Sequence, residues 1–248
     1  MRKWWIILLP LLCACAGRNP SGQAGAAELE QASVEAEAAP ISAPALSPTA
    51  RRLDSLGYVN IVDLDPTLAV HMVYATPDNF VGEVLYGDLT EAYLLPEAAE
   101  KLAAAHELLK EKHPHYRFII YDAARPMAVQ RRMWSVAVKT GKQYYVANPA
   151  NGGGLHNYGA AVDLSILDER GVPLPMGTDY DHLGPEANTN NERSLVAAGK
   201  LTEQELQNRL LLRDVMRRAG FRTVTSEWWH FNHSSRAQAK EKYPIIDF

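Results

Sequence analysis

Two stretches of this 248-residue sequence carry side chains whose types and spacing suit metal chemistry. The first, His156-Asn157-Tyr158-Gly159-Ala160-Ala161-Val162-Asp163, reads His-x-x-Gly-x-Ala-x-Asp, and the second, Glu227-Trp228-Trp229-His230, begins sixty-four residues after Asp163. Two neutral imidazoles and one carboxylate make a three-ligand set for one zinc ion per chain. Such a set leaves a fourth tetrahedral position open, the mark of a catalytic rather than a structural zinc. A metal there lowers the pKa of a bound water towards ~7. Glu227, three residues before a ligand, is placed to take the proton of that water as a general base.

The spacing puts demands on the backbone. His156 and Asp163 are seven residues apart, an odd separation that faces opposite sides of a flat strand. Gly159 between them can bend the chain so that both converge. Glu227 and His230 meet the same difficulty, so a strand there must bulge or end. Arg125 follows the apolar run Phe118-Ile119-Ile120 at a turn made by Pro126. A fixed guanidinium at that place could stabilise the oxyanion of a tetrahedral intermediate. Asp122 alternates with Phe118 and Ile120 and could orient Arg125. His71, His106, His113, His115, His182 and His233 are expected to be surface or packing residues.

These groups need elements to hold them. Ala69–Tyr74, Arg117–Asp122, Ala161–Ile166 and Val224–Phe231 read as strands. Pro96 opens a helix from Glu97 to about Lys112, with Ala98, Leu102, Ala105 and Leu109 as its apolar stripe. A second helix runs from Met127 to about Thr140 and closes at Gly141. Thr202 and Glu205 form a capping box for a third, which runs to Ala219 before Gly220. Short strands mixed irregularly with helices point to an α+β fold.

The N-terminus reads differently. Arg2 and Lys3 precede a short apolar run, Trp4 to Leu12, too short to span a bilayer. Leu12-Cys13-Ala14-Cys15 resembles the lipobox of bacterial lipoproteins. Residues 1–14 are therefore expected to be a lipoprotein signal peptide and Cys15 the lipidated residue of an exported, membrane-anchored protein. Residues 15–52, rich in Ala, Pro, Ser and Glu, are expected to be a disordered tether, since they hold too little apolar surface to offset ordering entropy. The folded domain is expected over 53–248. Cys13 and Cys15 are the only cysteines, so the mature domain holds no disulfide and no cysteine ligand. A formal charge of −4 argues against a nucleic-acid partner.

Several blocks in order resemble the zinc D-Ala-D-Ala peptidases, and most closely the D-alanyl-D-alanine dipeptidases. They are Tyr74-Ala75-Thr76-Pro77-Asp78-Asn79-Phe80-Val81-Gly82, Tyr121-Asp122-Ala123-Ala124-Arg125-Pro126, the His156 motif, Met176-Gly177-Thr178-Asp179-Tyr180-Asp181, Gly220-Phe221 and Glu227-Trp228-Trp229-His230-Phe231. The resemblance spans about residues 58–248. It implies a central antiparallel sheet carrying the zinc, flanked by helices, and hydrolysis of D-Ala-D-Ala or a related wall dipeptide. It assigns Arg125 to the oxyanion, and Asp181 with Tyr74 to the free ammonium of the dipeptide. Where the family usually has Ser-x-His, this chain has Gly154-Leu155-His156, so a hydroxyl near the substrate is missing and the Gly152–Gly154 run should loosen the loop. Two other readings remain: a carboxypeptidase or endopeptidase acting on longer wall peptides, and a non-catalytic zinc-containing binding domain. The presence of Asp181 argues against the first, because a longer peptide has no ammonium there. The presence of Glu227 and Arg125 argues against the second.

Overall fold

A computed structural model describes residues 46–248. The expected signal peptide, Cys15 and the expected tether up to residue 45 lie outside the described residues. The fold begins earlier than Leu53: Ser47 caps a helix, α1 (Pro48–Ser55), whose Ala50 and Leu53 are fully buried. Pro48 at its first position is already set for helical φ.

The remaining elements follow in order as β1 (Val59–Asn60), α2 (Ile61–Leu64), β2 (Ala69–Val70), β3 (Tyr93–Leu94), α3 (Pro96–Lys112), β4 (Arg117–Asp122), α4 (Met127–Lys139), β5 (Ala161–Leu167), α5 (Glu192–Ala197), α6 (Glu203–Arg218), β6 (Arg222–Thr223), β7 (His230–Asn232) and α7 (Arg236–Lys242). The class is α+β, as the mixture of short strands and helices predicts. The main sheet has the order β2-β4-β5-β7-β6, and β1 pairs with β3 in a separate ribbon. The β4–β5, β5–β7 and β7–β6 pairs are antiparallel, while β2 joins β4 in parallel. The antiparallel expectation thus holds for the part of the sheet that carries the site and not for its β2 edge.

β5 is buried along its whole length, which fits a central strand covered on both faces. Val162, Leu164 and Ile166 alternate with Ala161, Asp163 and Ser165, so one face is wholly apolar and the other carries polar side chains. On β4, Phe118 stacks on His106 of α3, with ring centroids 5.2 Å apart. His106 donates from Nδ1 to Asp65 at 2.7 Å and accepts from the Phe118 N–H at 3.3 Å. It is a packing histidine, as expected.

Two strand expectations are corrected. Ala69–Tyr74 is a strand only at Ala69 and Val70, and then turns into a 3₁₀ segment at Val73–Ala75. The turn lets the Tyr74 carbonyl accept from the N–H groups of both Leu85 and Tyr86. Val224–Phe231 is not continuous either. β6 ends at Thr223, and the chain bends until β7 starts at His230. There the Val224 carbonyl accepts from the Thr189 hydroxyl and the Thr225 carbonyl from the Thr189 N–H, so this stretch binds a loop instead of a strand. Glu227 therefore lies in a bend, as its odd offset from His230 requires.

Candidate active site

Register brings the three candidate ligands together. Asp163 on β5 stands directly opposite His230 on β7. His156 sits in a 3₁₀ turn, Leu155–Tyr158, which Gly159 closes at φ +66°. A Cβ at Gly159 would meet the Tyr58 ring at 2.4 Å, so only glycine makes this turn. The reversal carries His156 back over the start of β5, which resolves its seven-residue offset from Asp163.

The facing atoms are His156 Nε2, Asp163 Oδ1 and His230 Nδ1, separated by 3.2 Å between the two nitrogens, 2.9 Å from His230 Nδ1 to Oδ1 and 3.3 Å from His156 Nε2 to Oδ1. Bonds of ~2.0–2.1 Å to one tetrahedral ion would space its ligands by about 3.3 Å. The three residues thus fit a single metal ion, and they form the three-residue cluster of that kind among the described residues.

Each ligand is also fixed from behind. His156 donates from Nδ1 to the Ala123 carbonyl at 2.7 Å. His230 donates from Nε2 to Asn232 Oδ1 at 2.8 Å. Both bonds leave the opposite nitrogen free to ligate. The second oxygen of Asp163 accepts from the Tyr180 hydroxyl at 3.0 Å. Burial works against a charge on Asp163, but the flanking imidazoles outweigh it and hold the carboxyl far below its usual range. Burial likewise opposes a charge on His230, yet Asp163 lifts its pKa to about 9. This dense cluster of opposite charge is what a divalent cation would replace.

Glu227 reaches the same place, with Oε2 3.8 Å from His230 Nδ1. Burial raises its pKa to about 7, reinforced by Asp163 and opposed by His230. A carboxylate poised near neutrality can accept a proton and give it up again.

Arg125 lies at the turn before α4, as expected, and is buried. Asp122 does orient it: Asp122 Oδ2 accepts from Arg125 Nε at 3.0 Å and also from Nη2. Asp122 reaches the site through a β-bulge. Ile120 pairs with Leu164, but Asp122 pairs with Asp163, so the register slips between them. That slip turns Asp122 from the apolar face, where alternation alone would leave it, to the face of Asp163. Gln130 takes a third Arg125 N–H through Nη1 at 2.9 Å. A guanidinium has five N–H donors, so two remain for a ligand.

Tyr74 and Asp181 meet across the pocket, the phenol hydroxyl lying 2.9 and 2.8 Å from the two carboxylate oxygens. Burial pushes the Asp181 carboxyl up to about 8, and the Tyr74 hydrogen bond only partly opposes this. Asp181 also holds a left-handed backbone, φ 60°, rare outside glycine. Strain and desolvation together mark a group held in place for a ligand. The three candidate ligands, Glu227, Arg125, Tyr74 and Asp181 line one cavity of about 390 Å³, along with Gly154. Gly154 N–H donates to Asn157 Oδ1 at 2.8 Å, so the glycine run is tied down by a buried side chain. Tyr180 and Asn232 were not singled out from the sequence. Asn232 could have been, since it is two residues from His230 and shares its face of a strand.

An α+β sheet that gathers two imidazoles and a carboxylate beside a half-buried carboxylate and a braced arginine defines a metallohydrolase. Sequence comparison is specific about which one. The peptidase M15 family, described as D-ala-D-ala dipeptidase, matches residues 54–247. A D-alanyl-D-alanine dipeptidase of Escherichia coli (strain K12) is 30% identical over 193 residues, covering 78% of this chain and 91% of the relative. One of Enterococcus faecium is 32% identical over 178 residues, covering 64% of this chain and 82% of the relative. The chain belongs to the peptidase M15 family.

Tyr180 provides a test of how Asp163 is held. Its ring packs against Tyr74, Tyr121 and Trp229, contacts that phenylalanine would keep. Tyr180→Phe is expected to fold normally and to weaken metal binding by roughly 10–100-fold, read by competition with a chelator. Unchanged affinity would mean that Asp163 needs no such anchor.

Proposed function

We propose that this chain is a zinc dipeptidase that hydrolyses D-Ala-D-Ala or a closely related wall dipeptide. The observation that carries this reading is the Tyr74–Asp181 pair, a half-buried carboxylate in the same cavity as the metal ligands and Glu227. A free ammonium next to the scissile bond would meet it, and no interior residue of a longer peptide carries that charge. The names of the relatives point to the same substrate.

In this reading His156, Asp163 and His230 hold zinc, the metal suited to two imidazoles and a carboxylate. When bound, the ion supplies Lewis acidity to water and to the peptide carbonyl. Glu227 accepts the proton of the attacking water as the new C–O bond forms. It then passes that proton to the amine as the C–N bond breaks. Arg125 offers its two spare N–H donors to the carbonyl oxygen as negative charge develops there. Asp122 and Gln130 keep the guanidinium aimed. Asp181 and Tyr74 fix the ammonium, so that the carbonyl is presented in one register.

The test compares D-Ala-D-Ala with its N-acetyl derivative. The acetylated compound should be a poor substrate by kcat/KM, because Asp181 would be desolvated without its partner. A carboxypeptidase would cleave the capped peptide at least as well as the free one. Glu227→Gln should keep its metal while turnover falls by roughly 10²–10⁴-fold. Substantial turnover in that variant would move the base elsewhere.

We also propose that the protein is exported and lipid-anchored through Cys15, where dipeptide released from the wall would reach it. Among the described residues no helix is long and apolar enough to cross a membrane, so the N-terminal lipid would be the attachment. Cys15→Ser should move the protein from the membrane to the soluble fraction with its metal retained. Continued membrane fractionation would exclude Cys15 as the anchor.

A further inference from the structure

The cavity has a second charged end that the proposed reaction does not yet use. The sheet order β2-β4-β5-β7-β6 puts the metal ligands on β5 and β7, with Arg125 following β4 on one side and β6 on the other. Arg222 lies on β6, directly opposite Asn232 of β7. Cross-strand partners share a face, and Asn232 shares its face with His230. Arg222 is thus carried on the metal-bearing face, one strand spacing of about 4.8 Å beyond β7. Its guanidinium has no hydrogen-bond or ion-pair partner among the described residues, and it lines the cavity.

Two further groups line the same cavity. Ser234, two residues past Asn232, lines the cavity with a buried hydroxyl that has no partner among the described residues. Arg236 lines it too, held by a single bond from Nη2 to the Asn151 carbonyl at 2.9 Å. A buried hydroxyl without a partner costs free energy in the empty site, and a ligand able to accept from it would recover that cost. With two guanidinium groups lining the same cavity, the fitting ligand is a carboxylate. Gly154 offers no side chain for this purpose.

Resting on the dipeptidase reading, we infer that Arg222, Ser234 and Arg236 form the subsite for the α-carboxylate of the leaving residue. The cavity then gauges both ends of its substrate: Asp181 and Tyr74 take the ammonium, and the arginine end takes the carboxylate. A peptide extended at either end loses one of the two ionic contacts. This makes the cavity selective for a free dipeptide, through residues on opposite flanks of the metal.

The experiment uses D-Ala-D-Ala and its C-terminal amide, which keeps the ammonium and the scissile bond but removes the carboxylate charge. The wild-type metal-loaded enzyme should prefer the free acid by at least tenfold in kcat/KM, mostly through KM. Arg222→Ala/Arg236→Ala should shrink that preference at least tenfold with metal content unchanged, and Arg236→Lys should retain part of it. Ser234→Ala should reduce it in the same direction. Equal cleavage of acid and amide by the wild type, or a preference that survives the double substitution, would overturn the inference. Calorimetric binding of the two ligands to the metal-loaded Glu227→Gln protein separates the subsite from the chemistry. Tighter binding of the acid that depends on the two arginines, without turnover in the wild type, would keep the subsite and remove the dipeptidase reading. No difference between acid and amide in binding would remove the subsite whatever the turnover.

Discussion

The site depends on one register: Asp163 of β5 opposite His230 of β7. A slip of one residue would turn His230 to the other face and leave Asp163 opposite a buried aromatic ring. The register is fixed by groups that have no chemistry of their own. Val162 and Phe231 are opposite each other and buried, the Leu164 N–H donates to the Trp229 carbonyl, and the His233 N–H donates to the Ala160 carbonyl. Apolar packing on one face thus sets polar geometry on the other. The same logic places Asp122, which reaches the site face only because β4 bulges before it ends.

Three carboxylates share one cavity, and their surroundings separate them. Asp163 is flanked by imidazoles and stays ionised. Glu227 sits near neutrality, and Asp181, whose desolvation is opposed mainly by the Tyr74 hydroxyl, is shifted furthest up, to about 8. Such separation is how residues of one type come to hold different roles. In the metal-free protein it also opposes folding. A carboxyl whose folded pKa lies above its unfolded value, as for Asp181, loses stability as pH rises from about 4 towards that folded value. A divalent cation among the ligands and an ammonium on Asp181 would both relieve the repulsion, so the site is electrostatically prepared for cations at two places.

The parts legible in the sequence were those fixed by local pattern. The stripe of α3, the Thr202–Glu205 capping box and the apolar run of β4 each correspond to an observed element. The ligand set was legible because its residue types are rare in such order. The extent of strands was not. Val224–Thr225 carries β-forming residues, but their carbonyls are taken by Thr189, a contact thirty-five residues away that no local pattern reports. The anchors behind the ligands were obscure for a related reason. Ala123 contributes a carbonyl, which has no residue signature, and Tyr180 acts through a loop whose path depends on the tertiary fold.

That path is set by a residue far from the chemistry. Arg209 of α6 is almost wholly buried. It donates from Nε to the Met176 carbonyl at 2.6 Å and from Nη2 to the Glu186 carbonyl at 3.0 Å, so one side chain clasps both ends of the loop that carries Tyr180 and Asp181. Its guanidinium also lies 5.9 Å from the centre of the Trp228 ring, and Trp228 in turn donates to the Thr178 hydroxyl at 2.8 Å. Trp228 is the neighbour of Glu227. A single cation on a helix therefore couples the loop holding the ammonium acceptor to the bend holding the base. A lysine could not do this, because a point charge lacks the planar fork that meets two carbonyls while facing a ring. The tandem tryptophans are accordingly neither ligands nor idle core. Trp229 packs against Tyr180, Trp228 packs against Trp229 and stands next to the base in the chain, and together they link α6 to the two acidic groups that must hold their positions against mutual repulsion.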